Sequence, residues 1–160
     1  MSETTELKHA TLVTEGIVTG YEDGSRPRLV GGYCPDCARW YFPCPSYCRS
    51  CLEPVQAADL GGEGKLHAFT VIRMRPPLGL PQPYAVGYVD LKESGLRVFC
   101  LLDPSAIDRY RLDMPLRLTV SVLGHDGSGQ PCLRPYFSPG DHHEDAEKET
   151  DTGGGEVRDE

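Results

Sequence analysis

The stretch that decides the fold is Cys34-Pro35-Asp36-Cys37 together with Cys48-Arg49-Ser50-Cys51, two Cys-x-x-Cys pairs separated by ten residues. Each pair can place two thiolates about 3.7 Å apart on a tight turn, and two such turns complete a tetrahedral metal site. We therefore expect one structural Zn²⁺ ion, with Cys34, Cys37, Cys48 and Cys51 as its ligands. Disulfide bonds and an iron site of the rubredoxin type are the alternatives for the same pattern.

The other cysteines do not fit this spacing. Cys44 lies between the two pairs, but it is four residues from Cys48 and breaks the pattern. Cys100 and Cys132 fall within predicted strands, where a cysteine is usually a small buried hydrophobe. We expect none of these three to bind the metal.

Length and charge narrow the class of protein. The chain has 160 residues, which suits one domain or a domain with a small satellite. Residues 141–160 carry nine acidic and two basic side chains, so they account for −7 of the net charge of −8. The remaining body is close to neutral, whereas a protein that binds nucleic acid through phosphates needs a basic face. We expect no nucleic-acid partner.

The sequence shows no pattern typical of a membrane span or a secretory signal. The sequence contains no apolar run of 18 residues, and its first ten residues lack the apolar core of a secretory signal. We therefore expect a cytoplasmic protein without a membrane partner.

Strand and turn signals divide the rest of the chain. The expected order is an N-terminal arm that is partly β (1–33), a zinc ribbon (34–53), a linker (54–64), an OB-fold (65–139) and a disordered acidic tail (140–160). Within the arm we predict the strands Thr11–Val18 and Arg28–Tyr33, separated by turn residues.

The second half of the body is predicted to form a small barrel. Five segments are rich in β-branched, aromatic and aliphatic residues and are predicted as strands: Leu66–Arg73, Tyr84–Leu91, Leu96–Leu102, Leu116–Leu123 and Cys132–Phe137. Asp103 is a good N-cap residue and Pro104 suits the first helical position, so a short helix is expected after the third strand. Three strands, a helix and two strands is the order of a five-stranded OB barrel, although other small β folds share it. The predicted class is mainly β.

No arrangement of residues predicts catalysis. The chain lacks a Gly-x-Ser-x-Gly elbow, a phosphate-binding Walker loop and a dinucleotide fingerprint. No cysteine has a histidine placed beside it by the sequence, and His142 and His143 lie in the acidic tail. We expect no catalytic residues, so the chain is interpreted as a module and not as a self-sufficient enzyme.

Several runs of residues are similar to the DUF35 family, whose members accompany thiolase-superfamily enzymes. The runs are Gly32–Cys37, Tyr41–Pro43, Cys48–Cys51, Gly64–Ile72, Pro83–Leu91, Asp113–Leu116 and Phe137–Pro139. Two positions depart from the pattern, since the family usually has glycine where this chain has Ala38 and Asp113. The resemblance implies a rubredoxin-like zinc ribbon followed by an OB-fold. It also implies a hetero-oligomer in which a thiolase-type partner supplies the catalytic cysteine and histidine.

The same resemblance implies that this chain helps to hold an acyl-CoA substrate. CoA carries phosphates that favour arginine forks and an adenine that can stack on aromatic rings. The candidate CoA contacts are Arg39, Trp40, Arg73 and Arg75. For the arginines the alternative is a solvated or partner-facing pair, and for Trp40 it is packing between ribbon and barrel.

The expected function is that of a non-catalytic zinc-binding subunit in a thiolase-type complex that makes or breaks C–C bonds of acyl-CoA thioesters. The run from Arg73 to Tyr84 resembles members paired with catabolic thiolases, which favours the breakdown of aromatic compounds. Two other hypotheses remain open, a single-stranded nucleic-acid binder built from an OB-fold and a zinc ribbon, and an iron electron carrier.

Overall fold

A computed structural model describes residues 10–140 of the chain. The acidic tail from residue 141, including His142 and His143, therefore lies outside the described residues. The fold is mainly β, as predicted, and contains a small four-stranded sheet followed by a closed five-stranded barrel. Within residues 10–140, no helix has the length and apolar character needed to cross a membrane.

The small sheet is built around one central strand, β2. Its strands are β1 (Val18–Thr19), β2 (Arg28–Cys34), β3 (Arg39–Tyr41) and β4 (Gln56–Gly61). All pairings are antiparallel, with β1 and β3 following one another along one edge of β2 and β4 lying along the other edge. Gly31 allows this close packing, because a Cβ atom there would collide with the carbonyl oxygen of Tyr41 and with the side chain of Leu60.

The barrel is formed by the strands β5 (Glu63–Ile72), β6 (Tyr84–Leu91), β7 (Arg97–Leu102), β8 (Pro115–His125) and β9 (Pro131–Pro139). They close in the order β5-β6-β7-β9-β8. Every pairing is antiparallel except that of β7 with β9, which is parallel and limited to Leu102 and Phe137. The five-stranded OB barrel predicted from the element order is confirmed.

A short 3₁₀ helix, Pro104–Arg109, connects β7 to β8 as expected. The side chain of Asp103 accepts a hydrogen bond of 2.8 Å from the backbone N–H of Ser105, which caps the first turn. Tyr110 closes the helix and is almost fully buried. Its hydroxyl donates to the carbonyl oxygens of Asp103 and Phe137, at 3.1 and 3.2 Å, and so ties the helix to β9.

One apolar core joins the small sheet to the barrel. Val18, Leu29 and Leu60 of the small sheet belong to the same buried cluster as the barrel residues Leu66 and Phe137. At the surface, Arg28 adds a polar link, since its guanidinium pairs with Asp59 of β4 and with Glu93 in the turn between β6 and β7.

The N-terminal part differs from the sequence expectation. The predicted strand Thr11–Val18 is reduced to β1, because the chain turns at Gly16, whose φ is +76°. Before this turn, Leu12 makes only an isolated bridge to Leu133. The range 54–64, expected as a linker, instead contains β4, which pairs with β2 over five residue pairs.

Candidate metal centre

Two tight turns carry the cysteine pairs. Cys34 is the last residue of β2 and Cys37 lies in the turn that leads into β3, while Cys48 and Cys51 lie on a second turn before β4. The residue after each pair adopts a left-handed backbone, with φ of +49° at Ala38 and +64° at Leu52. The chain therefore forms both turns without the glycine that usually follows such a pair.

The turns bring the four cysteines together. The side-chain sulfurs of Cys34, Cys37, Cys48 and Cys51 all lie within 4.8 Å of one another. The sulfurs of Cys34 and Cys51 are 3.5 Å apart, which is too far for a disulfide and close to the edge of a tetrahedral thiolate site. Cys34 and Cys48 are buried, whereas Cys37 and Cys51 are partly exposed. This four-cysteine cluster has the composition and geometry of a zinc ribbon.

Hydrogen bonds favour the ionised form of one thiol in the four-cysteine cluster. The hydroxyl of Tyr41 lies 3.0 Å from the sulfur of Cys48, and the backbone N–H of Ser50 lies 3.4 Å from it. These donors, that of Tyr41 first, lower the pKa of Cys48 to about 5. The pKa values of Cys34, Cys37 and Cys51 are raised. Binding of a cation by all four cysteines would require their remaining thiol protons to leave.

The other cysteines stay apart from the cluster. Cys44 is exposed, and its sulfur faces the carbonyl oxygen of Pro45 at 3.6 Å. Cys132 is fully buried in β9. Cys100 faces the carbonyl oxygen of Gly87, and burial raises the pKa of its thiol to about 12.

The residues expected to contact CoA occupy two separate places. Arg39 and Trp40 belong to β3 of the small sheet. Arg39 donates to the hydroxyl of Ser50 at 3.0 Å, and the ring of Trp40 packs against Tyr33 with centroids 4.6 Å apart. Trp40 also packs against the buried core, so part of its surface is already covered.

Arg73 and Arg75 lie beyond the first barrel strand. Because β5 ends at Ile72, the pleat of a strand does not direct these two side chains, which differs from the sequence expectation. Both arginines are exposed in the loop that leads to β6, where the side chain of Gln82 donates to the carbonyl oxygen of Arg73 at 2.7 Å. Among residues 10–140, neither arginine has a carboxylate within ion-pair distance.

A polar cleft was not foreseen from the sequence. It has a volume of about 970 Å³ and lies between the segment around Tyr21–Arg28 and the barrel. Arg26 is paired there with Glu63 at 3.2 Å, and Arg28 is paired with Asp59 and Glu93. Two of the cations that line the cleft therefore already have carboxylate partners, and Lys92 and Arg117 line it as well. Ion pairs between distant parts of the chain leave no local signal in a sequence.

Comparisons with known proteins agree with this architecture. The family model for the ChsH2 rubredoxin-like zinc ribbon domain matches residues 22–55, and the model for the ChsH2 C-terminal OB-fold domain matches residues 57–121. A curated relative, benzoylsuccinyl-CoA thiolase subunit BbsA of Thauera aromatica, is 35% identical over 116 residues, which is 72% of this chain and 78% of the relative.

A solved structure shows the same fold in a complex. A chain of the Ltp2-ChsH2(DUF35) aldolase superimposes with a TM-score of 0.56 at 27% identity, covering 70% of this chain and 84% of that chain. Sequence identity, domain matches and fold thus agree, and the chain belongs to the DUF35 family of proteins that join a ChsH2-type zinc ribbon to an OB-fold.

Proposed function

We propose that this chain is the non-catalytic, zinc-binding subunit of a thiolase-type complex that acts on acyl-CoA thioesters. The observation that carries the proposal is the 35% identity to a subunit of benzoylsuccinyl-CoA thiolase, joined to the same ribbon-and-barrel architecture. In this role the partner chain holds the reacting groups, while the present chain stabilises the partner and helps to bind the CoA substrate.

The four-cysteine cluster fits a structural zinc ion. Cys34, Cys37, Cys48 and Cys51 would supply all four positions of a tetrahedral site and leave none open for a substrate. When bound, zinc supplies folding energy and no reaction step. The ribbon needs such a cross-link because β3 has three residues and β1 only two. None of the seven cysteines forms a disulfide, which suits a reducing compartment such as the cytoplasm.

For the CoA contact we favour Arg73 and Arg75 over Arg39 and Trp40. Arg73 and Arg75 are exposed and have no carboxylate partner among the described residues, so their guanidinium groups are available to CoA phosphates. Arg39 is already engaged with Ser50, and part of Trp40 is covered by Tyr33.

We place the reaction in the catabolism of aromatic compounds, with an aroylsuccinyl-CoA such as benzoylsuccinyl-CoA as the substrate. The support for this substrate is the name of the relative from Thauera aromatica. Carbon–carbon cleavage by a thiolase uses free CoA as the second substrate, so the complex needs room for CoA at the boundary between its chains.

The test is to co-express this chain with thiolase-type chains from the same genome and to purify the pair that forms. We expect a stable heteromer that cleaves benzoylsuccinyl-CoA when CoA is added, whereas either chain alone is inactive or unstable. An assay with acetoacetyl-CoA shows whether the substrate is instead a simple 3-oxoacyl thioester. The absence of any heteromer, with both chains folded, would refute the proposal.

A further inference from the structure

Three strands of the barrel present an apolar surface to the outside. Along β6 and β7, alternate residues such as Ala85, Val89 and Val98 are buried in the core. The residues between them point outward, and an antiparallel sheet usually carries polar groups there. Lys65, Asp90 and Arg97 are the charged outward residues at one end of β5, β6 and β7, but beyond them the outward positions are mostly apolar: Ala68, Ile72, Val86, Tyr88, Phe99 and Leu101. We call these six residues the outer face.

The outer face is continuous and exposed at its centre. Tyr88 is paired with Ala68 on one side and with Phe99 on the other, so the three strands contribute neighbouring side chains. Tyr88 and Phe99 are 46% and 59% exposed, and their ring centroids lie 5.2 Å apart. Thr70 is the polar residue within this surface. Single exposed hydrophobic residues are ordinary, whereas a continuous apolar group with polar residues around it is the form that protein interaction sites take.

We infer that the outer face is the surface on which the thiolase-type catalytic subunit docks. This inference rests on the proposed function and adds to it the place of contact. The outer face leads directly into the proposed CoA contact, because Arg73 follows Ile72, the last residue of β5. A catalytic subunit seated on the outer face would therefore bring its CoA next to Arg73 and Arg75.

Charge at the two ends of the outer face favours this occupant over a second copy of the chain. At one end the carboxylate of Asp90 is already bound by Arg97, through contacts of 2.6 and 3.0 Å. At the other end Arg73 and Arg75 have no carboxylate partner within residues 10–140. A second copy would bring no free carboxylate from its own outer face to these arginines, whereas a CoA-loaded subunit brings phosphates.

The size of the outer face also suits a heteromeric interface. Three strands about 4.8 Å apart, with five residues of about 3.3 Å each, make a surface roughly 15 Å on a side. A stable interface buries about 800 Å² per partner and surrounds an apolar centre with polar groups. The outer face has the dimensions of such a centre, and the charged groups at its two ends would belong to the rim.

The experiment measures the affinity of the purified full-length chain for the thiolase-type subunit with which it co-purifies, by analytical ultracentrifugation or calorimetry. Phe99→Glu places a charge in the centre of the outer face, and Phe99→Ala serves as a second variant. Leu112→Glu is the matched control, because Leu112 is an apolar residue with 60% exposure in the turn before β8 and outside the outer face. Circular dichroism checks that each variant is folded.

We expect Phe99→Glu to weaken binding about tenfold or more, as central aromatic residues of interfaces do, and Leu112→Glu to change it less than about twofold. Backbone amide hydrogens of residues 84–91 and 97–102 should exchange more slowly in the complex than in the free chain. If the heteromer forms but Phe99→Glu and Phe99→Ala bind as wild type does, the docking surface is refuted while the proposed function stands. If the wild-type chain forms no heteromer, the docking surface and the proposed function are both refuted. Self-association that Phe99→Glu abolishes would assign the surface to a second copy and overturn the inference.

Discussion

The hydroxyl of Tyr41 lies 3.0 Å from the sulfur of Cys48 and joins the two halves of the metal centre. Tyr41 is the last residue of β3, the strand that follows the first cysteine pair, whereas Cys48 opens the second pair. With Cys48 as a thiolate, the hydroxyl donates to the sulfur and supports its negative charge. The strand thus positions a group that does not bind the metal but acts on a residue that would.

Tyr41→Phe should therefore weaken zinc binding. Partners of metal ligands typically contribute about ten- to a hundredfold in affinity, and the low end of this range is expected here because the backbone N–H of Ser50 remains. The measurement is zinc transfer to a chromogenic chelator. Tyr47→Phe is the control, since Tyr47 lies in the same ribbon and is 63% exposed. Equal zinc loss from both variants would mean that the hydroxyl of Tyr41 has no special role.

Cys48→Ser should release the metal and loosen residues 33–54, because three thiolates hold zinc less tightly than four. Cys44→Ser should keep one zinc per chain, since Cys44 lies outside the cluster. Metal analysis of both purified variants decides the ligand assignment. It would have to be revised if Cys44→Ser lost zinc as completely as Cys48→Ser.

Cys100 should be chemically inert. Burial raises the pKa of its thiol to about 12, so near neutral pH Cys100 stays in the thiol form and not in the thiolate form that attacks an electrophile. In the isolated chain we expect iodoacetamide to modify the exposed Cys44 and to leave Cys100 unmodified. We also expect no thiolase activity without the partner. An acyl group found on Cys100 or Cys132 by mass spectrometry would contradict a non-catalytic role.

Tyr110→Phe should destabilise the barrel by about 1 kcal/mol, because it removes the hydroxyl contacts with the carbonyl oxygens of Asp103 and Phe137 but leaves each carbonyl a backbone N–H donor, that of Ala106 and that of Asp103. For a chain of this length, that loss lowers the melting temperature by about 2–4 °C. Tyr136→Phe is the comparison. It removes the hydroxyl contact with Ser121 on the outward side of β8, where water can replace it, so its effect should be smaller.

The features that the sequence predicted are those with a local signal. Runs rich in β-branched, aromatic and aliphatic residues indicated the five barrel strands, Asp103-Pro104 indicated the short helix, and the cysteine spacing indicated the metal cluster. Each of these depends on residues within a short window. The structure agrees with them because the same windows carry the burial pattern and the turn geometry.

The features that were missed depend on distant partners. Residues 54–64 were expected to be a linker that ends in the run Gly61-Gly62-Glu63-Gly64, but they contain β4, in which Leu60 is fully buried. This segment becomes a strand by pairing with β2 along most of its length. The ion pairs of Arg28 and the outward position of Phe99 likewise follow from the sheet register, which a single sequence does not give.

Leu52→Gly should leave the protein as stable as before or stabilise it by up to about 1 kcal/mol. Leu52 holds a φ of +64°, which costs a side-chain-bearing residue about 1–2 kcal/mol, and glycine would recover this while adding about 0.5–1 kcal/mol of chain entropy to the unfolded state. Little packing is lost, because Leu52 is 73% exposed.

Leu112→Gly is the matched control. It removes a similarly exposed leucine at a position without positive φ, so it should destabilise by about 0.5–1 kcal/mol. Urea unfolding of the two variants in zinc-containing buffer tests the difference. Equal destabilisation of the two variants would contradict this prediction. It would show that the Leu52 side chain stabilises the folded chain by more than its backbone strain costs.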